Sequence, residues 1–153
     1  MPIEYCINSR LNTVFLRAWG HVSVEEVFDV TETLRDDPDF HPDGKGVYDL
    51  SGVTSTNYYY KQMKEIMLIE PWGGNSKRAV IVKSALVFGL TRTFILLAKK
   101  SHGKIAIFND MGHAAKNLDI QASDVPWCAE IPPPIISPFK RMVDVFKFKR
   151  KAL

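Results

Sequence analysis

The stretch Val47-Tyr48-Asp49-Leu50-Ser51-Gly52-Val53-Thr54 decides the fold class. Residues 47–50 read as a short strand, apolar, aromatic and bounded by turn residues. Ser51-Gly52 breaks it, since serine bonds its own backbone and glycine weakens a strand interior. Residues 54–57 (Thr, Ser, Thr, Asn) then offer several helix N-caps. A helix is expected over 58–69, with Tyr59, Met63, Ile66 and Met67 inward. A strand that hands over to a helix within a few residues is the unit of an α/β domain.

The alternation extends toward the N-terminus. Residues 3–8 place Ile3, Tyr5 and Ile7 on one face, and Arg10-Leu11-Asn12 is a polar break. Residues 13–19 place Val14, Leu16 and Ala18 on one face and Phe15, Arg17 and Trp19 on the other. So short a link implies an antiparallel hairpin. Ser23 and Glu26 have capping-box spacing, and Val24, Val27, Phe28, Thr31 and Leu34 follow at helical intervals. The turn-rich run over 36–44 ends that helix.

The same order continues toward the C-terminus. Pro71-Trp72-Gly73-Gly74-Asn75 is a turn, on the wrong side of a helix to cradle a phosphate. Arg78-Ala79-Val80-Ile81-Val82 is apolar on both faces beyond its first residue, as in a buried parallel strand. Ser84 caps a helix over 85–100 whose buried side is expected at Leu86, Leu90, Phe94 and Leu97. Gly89 inside it costs about 1 kcal/mol relative to alanine and implies close approach of a neighbour. Lys99, Lys100 and His102 complement the negative helix end, and Gly103 is the expected stop. Residues 105–108 form the last strand and 110–118 the last helix. The order β-β-α-β-α-β-α-β-α predicts a mostly parallel sheet after an N-terminal antiparallel hairpin.

This assigns residues 1–120 to one α/β domain. Residues 121–138 form a Pro-rich connector, since five of the nine prolines fall in 126–138. In 139–153, Phe139, Met142, Val143 and Phe146 follow i, i+3, i+4, i+7. Six basic residues there face one acid, so this arm carries +5 and the rest of the chain sums to −2 of the total +3. A basic amphipathic helix is expected. It would pack on its own domain or a second subunit, lie on an anionic membrane surface, or bind another partner. No base-stacking platform accompanies it, so no nucleic acid is expected.

The 46% hydrophobic and 24% charged composition is that of a globular protein. Cys6 and Cys128 are far apart in sequence, against a disulfide scaffold or a thiolate zinc site, and Cys6 reads as a buried small hydrophobe. No apolar run approaches the roughly 18 residues of a membrane span, and the N-terminus lacks a signal-peptide pattern. A cytoplasmic protein is the expectation.

Catalytic patterns are absent from the sequence. His21, His41, His102 and His113 form no H-x-H or H-E-x-x-H pattern, so no metal or other cofactor is expected. There is no G-x-S-x-G elbow, and Ser51 two residues after Asp49 reads as a turn serine. The run Tyr58-Tyr59-Tyr60 is the more informative feature. Three adjacent helical residues point three ways, so at least one tyrosine is exposed. A ligand or partner surface is expected there, at the carboxyl edge of the sheet. Arg92, on the long helix, is a candidate anion contact.

The segment around Asp49 resembles STAS domains, the anti-sigma-factor-antagonist type with the SpoIIAA-like fold. Arg78-Ala79-Val80-Ile81-Val82, the following Leu86-Val87-Phe88-Gly89-Leu90-Thr91-Arg92, and Leu34-Arg35-Asp36-Asp37-Pro38-Asp39-Phe40 look like small bacterial SpoIIAA-like proteins of unsettled function. The resemblance covers roughly residues 3–118. It implies a SpoIIAA-like sheet and a regulatory or ligand-sensing role. In classical antagonists a phosphorylated serine opens the helix after the third strand. Counted from Asp49, those positions here are Asn57, Tyr58, Tyr59 and Tyr60, so the usual phosphoserine switch is not expected. The first functional expectation is a non-catalytic regulatory or protein-interaction module, a homodimer. The alternative follows from the general likeness of STAS folds to CRAL-TRIO lipid-transfer domains: a carrier or sensor of a small apolar ligand or lipid. An apolar cavity favours the second, and a filled core counts against it. A hydrolase ranks last, because it requires Ser51 or Cys128 to face a histidine in a cleft.

Overall fold

Side chains alternate across the first two strands as the period of a pleated sheet requires. In the computed structural model, which describes residues 2–98 and 100–127, β1 (Ile3–Asn8) and β2 (Thr13–Val22) form the expected antiparallel hairpin. Ile3, Tyr5, Ile7, Val14, Leu16 and Ala18 fill the core on one face. Cys6 and Phe15 enter a second core on the other. The expected arm over 139–153 lies outside the described residues.

Helix α1 (Val24–Arg35) starts at the predicted capping box. Ser23 Oγ accepts from the Glu26 N–H at 3.3 Å, and Glu26 Oε2 accepts from the Ser23 N–H at 3.1 Å. There follow β3 (Lys45–Thr56), α2 (Tyr60–Ile69), β4 (Lys77–Ile81), α3 (Ala85–Leu97), β5 (Lys104–Phe108) and α4 (Met111–Asn117). The sheet order is β1-β2-β3-β4-β5, with β2 to β5 mutually parallel. Val80 and Val82 join the first core, with Val30 and Leu34 of α1 and Val87 of α3. Ala79 and Ile81 join the second, with Ala114, Ala115 and Leu118. Helices α1 and α3 therefore cover one face and α4 the other, and β4 is apolar on both sides as predicted.

The structure corrects several local expectations. Ser51-Gly52 does not end a strand; β3 runs on to Thr56. Arg17 pairs with Asp49 but Trp19 with Gly52, and Gly20 pairs with Val53 but His21 with Ser55. Two extra residues are thus inserted into β3, each a β-bulge. At the first, Asp49 Oδ1 accepts both the Ser51 N–H at 3.0 Å and the Ser51 hydroxyl at 2.5 Å. A side chain at Gly52 would sit 2.9 Å from Trp19 Cβ. The polar, glycine-containing signal was real, but it marks a bend inside a strand.

Helix α2 begins at Tyr60, two residues later than expected, and Tyr59 is exposed. In α3 the buried residues are Val87 and Thr91, while Leu86 is exposed. The expected stripe is met in part: Leu90 and Phe94 line the space beneath the helix while Leu86 turns out, because this helix is apolar on nearly every side and the pattern alone does not fix the face. Thr91 tolerates burial because its hydroxyl donates to the Val87 carbonyl at 2.7 Å. Gly89 meets no neighbour within 4 Å of where a Cβ would sit, so close approach does not explain it. The folded unit also runs past residue 120. Val125 is buried, and Trp127 packs edge-on to Phe15 with ring centroids 6.3 Å apart. It also lies over the Arg17 guanidinium at 5.1 Å.

Gly103 is required for a different reason from a helix stop. Its φ is +84°, and a Cβ would press on Ser76 Oγ and lie 2.5 Å from the Ser76 carbonyl oxygen. Left-handed backbone and a clash with main chain act together here. Gly103→Ala should destabilise the protein by roughly 2–4 kcal/mol in urea unfolding. A cost below about 1 kcal/mol would contradict this packing.

Candidate functional site

The two bulges of β3 shape the space beneath the helices. Tyr48, Leu50, Val53 and Thr56 all line one cavity, at intervals of two, three and three residues. In a regular strand, residues three apart point to opposite faces. Each bulge adds the one residue that returns the next side chain to the same face. Leu16, Ala18 and Val22 of β2 line the cavity from beside it, with Val80 of β4. Val27, Val30, Thr31 and Leu34 of α1, Ile66 of α2, and Val87, Leu90, Thr91 and Phe94 of α3 form the opposing wall.

The cavity measures about 190 Å³ and is partly open. Its wall is almost entirely hydrocarbon. The threonines keep it so: Thr31, Thr56 and Thr91 donate their hydroxyl protons to the carbonyls of Val27, Val22 and Val87 at 2.7, 2.6 and 2.7 Å. Native cores rarely leave such space, because each unfilled void forfeits contacts.

Polar groups gather at one end. Arg78, on β4, has its side chain 3% exposed and forms an ion pair through Nη1 with Oε1 of Glu70, 5% exposed. Its Nη2 donates to the His102 carbonyl at 3.2 Å. The guanidinium lies 5.2 Å from the Trp72 ring centroid and 5.9 Å from that of Phe94. Trp72 is itself buried; its Nε1–H donates to the Tyr48 hydroxyl at 2.9 Å, and its ring meets Phe40 edge-on at 5.0 Å. Space for that ring exists because residue 46 is glycine: a Cβ there would lie 3.1 Å from the Trp72 ring and 3.0 Å from Arg78 Cγ. Arg78 Nε and Glu70 Oε2 are buried without a hydrogen-bond partner.

Of the sequence-derived candidates, Tyr58 lines the cavity. Tyr59 and Tyr60 are exposed outside it, Tyr60 with Lys64 Nζ over its ring at 4.8 Å. Arg92 is exposed on α3, on the helix whose Leu90, Thr91 and Phe94 line the cavity. The candidates therefore divide between the cavity and the outer surface. Sequence reading missed Trp72 and Arg78. A tryptophan inside a Pro-Gly turn was the available signal for the first; nothing local marked the second. Ser51 bonds Asp49 rather than a histidine, and Cys128 lies outside the described residues. Ser55 Oγ does lie 2.7 Å from His21 Nδ1, on the exposed surface. Among the described residues no three His, Cys, Asp or Glu side chains cluster as metal ligands. No described helix is long and apolar enough to cross a membrane.

Burial sets the protonation of this region. It pushes the Tyr58 hydroxyl well above its ordinary pKa; Glu70 adds to the rise and Arg78 opposes it. Burial likewise raises Tyr48, opposed by Arg78, and raises Tyr5, whose hydroxyl donates to Asp37 at 2.8 Å. The Cys6 thiol is pushed up to about 12 by burial, with Glu4 adding to the rise. The fold holds all four groups neutral, whereas an unfolded chain releases these protons near 9.0 for cysteine and 10.0 for tyrosine.

No protein-family model and no curated protein matches the sequence. Among solved structures, the chain is similar to an uncharacterized protein of the DUF3478 family with a SpoIIAA-like fold, from Shewanella loihica PV-4. The TM-score is 0.53 at 15% sequence identity, covering 76% of this chain and 93% of the other. The fold is therefore SpoIIAA-like, as the residues around Asp49 implied, and identity this low carries nothing further.

Two outcomes follow from this chemistry. Above about pH 9 the unfolded chain binds fewer protons than the folded one, so stability falls as pH rises, by about 1.4 kcal/mol per group per pH unit once both states are past the unfolded value. Urea midpoints should be level from pH 7 to 8.5 and drop steeply toward pH 11; a flat alkaline profile would contradict the burial of these hydroxyls. Arg78→Met should cost roughly 3–5 kcal/mol, since it leaves Glu70 buried and unpaired, and adding Glu70→Leu should restore most of that. Equal or additive losses would show that the pair is not coupled.

Proposed function

We propose that this domain binds a small, largely apolar molecule in the cavity between the sheet and helices α1, α2 and α3, as its carrier or sensor. The observation that carries the reading is an unfilled apolar space of about 190 Å³ with a single polar end. Of the two roles expected from sequence, a cavity favours ligand carriage over a purely protein-binding module. An engineered apolar cavity of about 150 Å³ in another protein takes up benzene and stays dry. This space suits a molecule somewhat larger, and is small for a long acyl chain. Binding there requires no covalent chemistry, and the fold itself is neutral on activity.

A regulatory role is compatible with this site, because ligand binding stabilises the folded state and shifts any equilibrium in which the empty form differs. Protein contact is the companion reading, and the outer surface of α2 and α3 favours it. Leu68 is 87% and Leu96 79% exposed, and Leu86, Phe88, Tyr59 and Tyr60 are also exposed. Such a surface is compatible with self-association or a protein partner. Contact with an anionic membrane through 139–153 concerns residues outside those described.

Toluene titrated into the protein should give saturable NMR shifts at the methyls of Ala18, Val30, Val53 and Val80. Ala18→Leu, which fills the space from β2, should abolish them while the protein keeps its thermal stability. Shifts that grow linearly without saturation, or that survive Ala18→Leu unchanged, would remove the cavity as a binding site.

A further inference from the structure

Among the described residues, the exposed large apolar side chains are confined to one part of the molecule. They are Tyr59, Tyr60, Leu68, Leu86, Phe88 and Leu96, all on α2 and α3 or at the residue that precedes α2. These two helices pack against each other. On α2 the exposed residues Lys61, Lys64, Glu65 and Leu68 follow i, i+3, i+4, i+7, so they form one outward stripe. On α3 the exposed residues Ala85, Phe88, Gly89, Arg92 and Leu96 keep the same period. Leu68 and Leu96 each stand one residue before the end of their helix and are the most exposed of the six.

Exposed leucines alone suit either a protein or a lipid partner. The charges set among them choose. Lys61, Lys64 and Arg92 lie in the two stripes, and exposed Lys83 stands just before α3, with Glu65 as the exposed acid among them. Helix α1, which packs on α2, has the opposite character: Glu25, Asp29 and Glu32 are exposed along it. A second copy pairing through the same surface would bring cations against cations with little acid to offset them, and the centres of protein interfaces are depleted of lysine. An anionic bilayer meets every feature. Leucine and aromatic side chains enter the boundary between headgroups and acyl chains, while lysine and arginine stems lie along it with their charges at the phosphates. The acidic α1 is repelled by the same field, which turns α2 and α3 toward the lipid.

We infer that the outer surface of α2 and α3 docks on an anionic lipid bilayer, with Leu68, Phe88 and Leu96 entering the interface and Lys61, Lys64 and Arg92 facing the phosphates. The contact is separate from the cavity and needs no occupant there. The inner side of α3, with Val87, Leu90, Thr91 and Phe94, still lines the cavity, so this helix stands between the cavity and the lipid.

The test is co-sedimentation of the full chain with vesicles of phosphatidylcholine alone and of phosphatidylcholine with phosphatidylserine. The anionic vesicles should bind at least about tenfold more tightly. Leu68→Ser combined with Leu96→Ser should weaken that binding at least about tenfold, and so should Lys64→Glu combined with Arg92→Glu. Both pairs leave the positive charge of residues 139–153 in place. Should either variant fail to fold, the wild type decides by NMR on bilayer discs with nitroxide-labelled headgroups: the methyls of Leu68 and Leu96 should broaden, and that of Met111 on α4 should not. Variants that bind as tightly as the wild type, or broadening that spares both leucines, would place the contact elsewhere and overturn the inference. Equal binding to both kinds of vesicle, or to neither, would overturn it as well. A dimer in sedimentation velocity that the two serine substitutions dissociate, in a protein that ignores vesicles, would give this surface to a second copy instead.

Discussion

The buried pair of Arg78 and Glu70 joins parts of the chain that lie far apart in sequence. Arg78 stands on β4, and Glu70 is the first residue beyond α2. The guanidinium also holds the His102 carbonyl just before β5 and lies against Trp72 and Phe94. One side chain thus ties the end of α2, the turn that follows it, the last turn of α3 and the entry to β5. Desolvating two charges is costly, and hydrophobic residues of similar size often serve stability as well. Both members of the pair border the cavity.

The cavity itself is a consequence of strand geometry. Two bulges let β3 present Tyr48, Leu50, Val53 and Thr56 to one side although their spacing is not that of a regular strand. The helices bridge this widened face without filling it. Above it, threonine hydroxyls are absorbed by their own helix or a neighbouring strand, so the wall stays apolar apart from the end where Arg78, Glu70, Tyr48 and Trp72 meet. The shape of the cavity comes from the backbone of β3.

Much of the fold was legible because its signals are local. Alternation in 3–8 and 13–19 placed Val14, Leu16 and Ala18 opposite Phe15, and the Ser23–Glu26 box fixed the start of α1. Ser51-Gly52 gave a correct signal of irregularity with the wrong consequence, since a break and a bulge share the same residues. The buried side of α3 was only partly legible: Leu90 and Phe94 face inward as expected, but the apolar Leu86, Phe88 and Leu96 are exposed, and only the neighbours choose the face. Arg78 was illegible for a related reason. Its partners lie at positions 70, 72 and 102, and no window along the chain reveals that they converge. The tyrosine run was informative to the extent that three adjacent residues must diverge: Tyr58 turns to the cavity and Tyr59 and Tyr60 turn outward.

A ligand site under α1 and α3 requires that the space there be empty and accessible. Diffraction from crystals pressurised with xenon addresses this directly, since xenon enters dry apolar cavities and scatters strongly. A xenon peak is expected within van der Waals reach of Ala18, Val30, Val53 and Val80, away from the Arg78–Glu70 end. A well-ordered protein without that peak, its side chains closed over the same space, would contradict such a site.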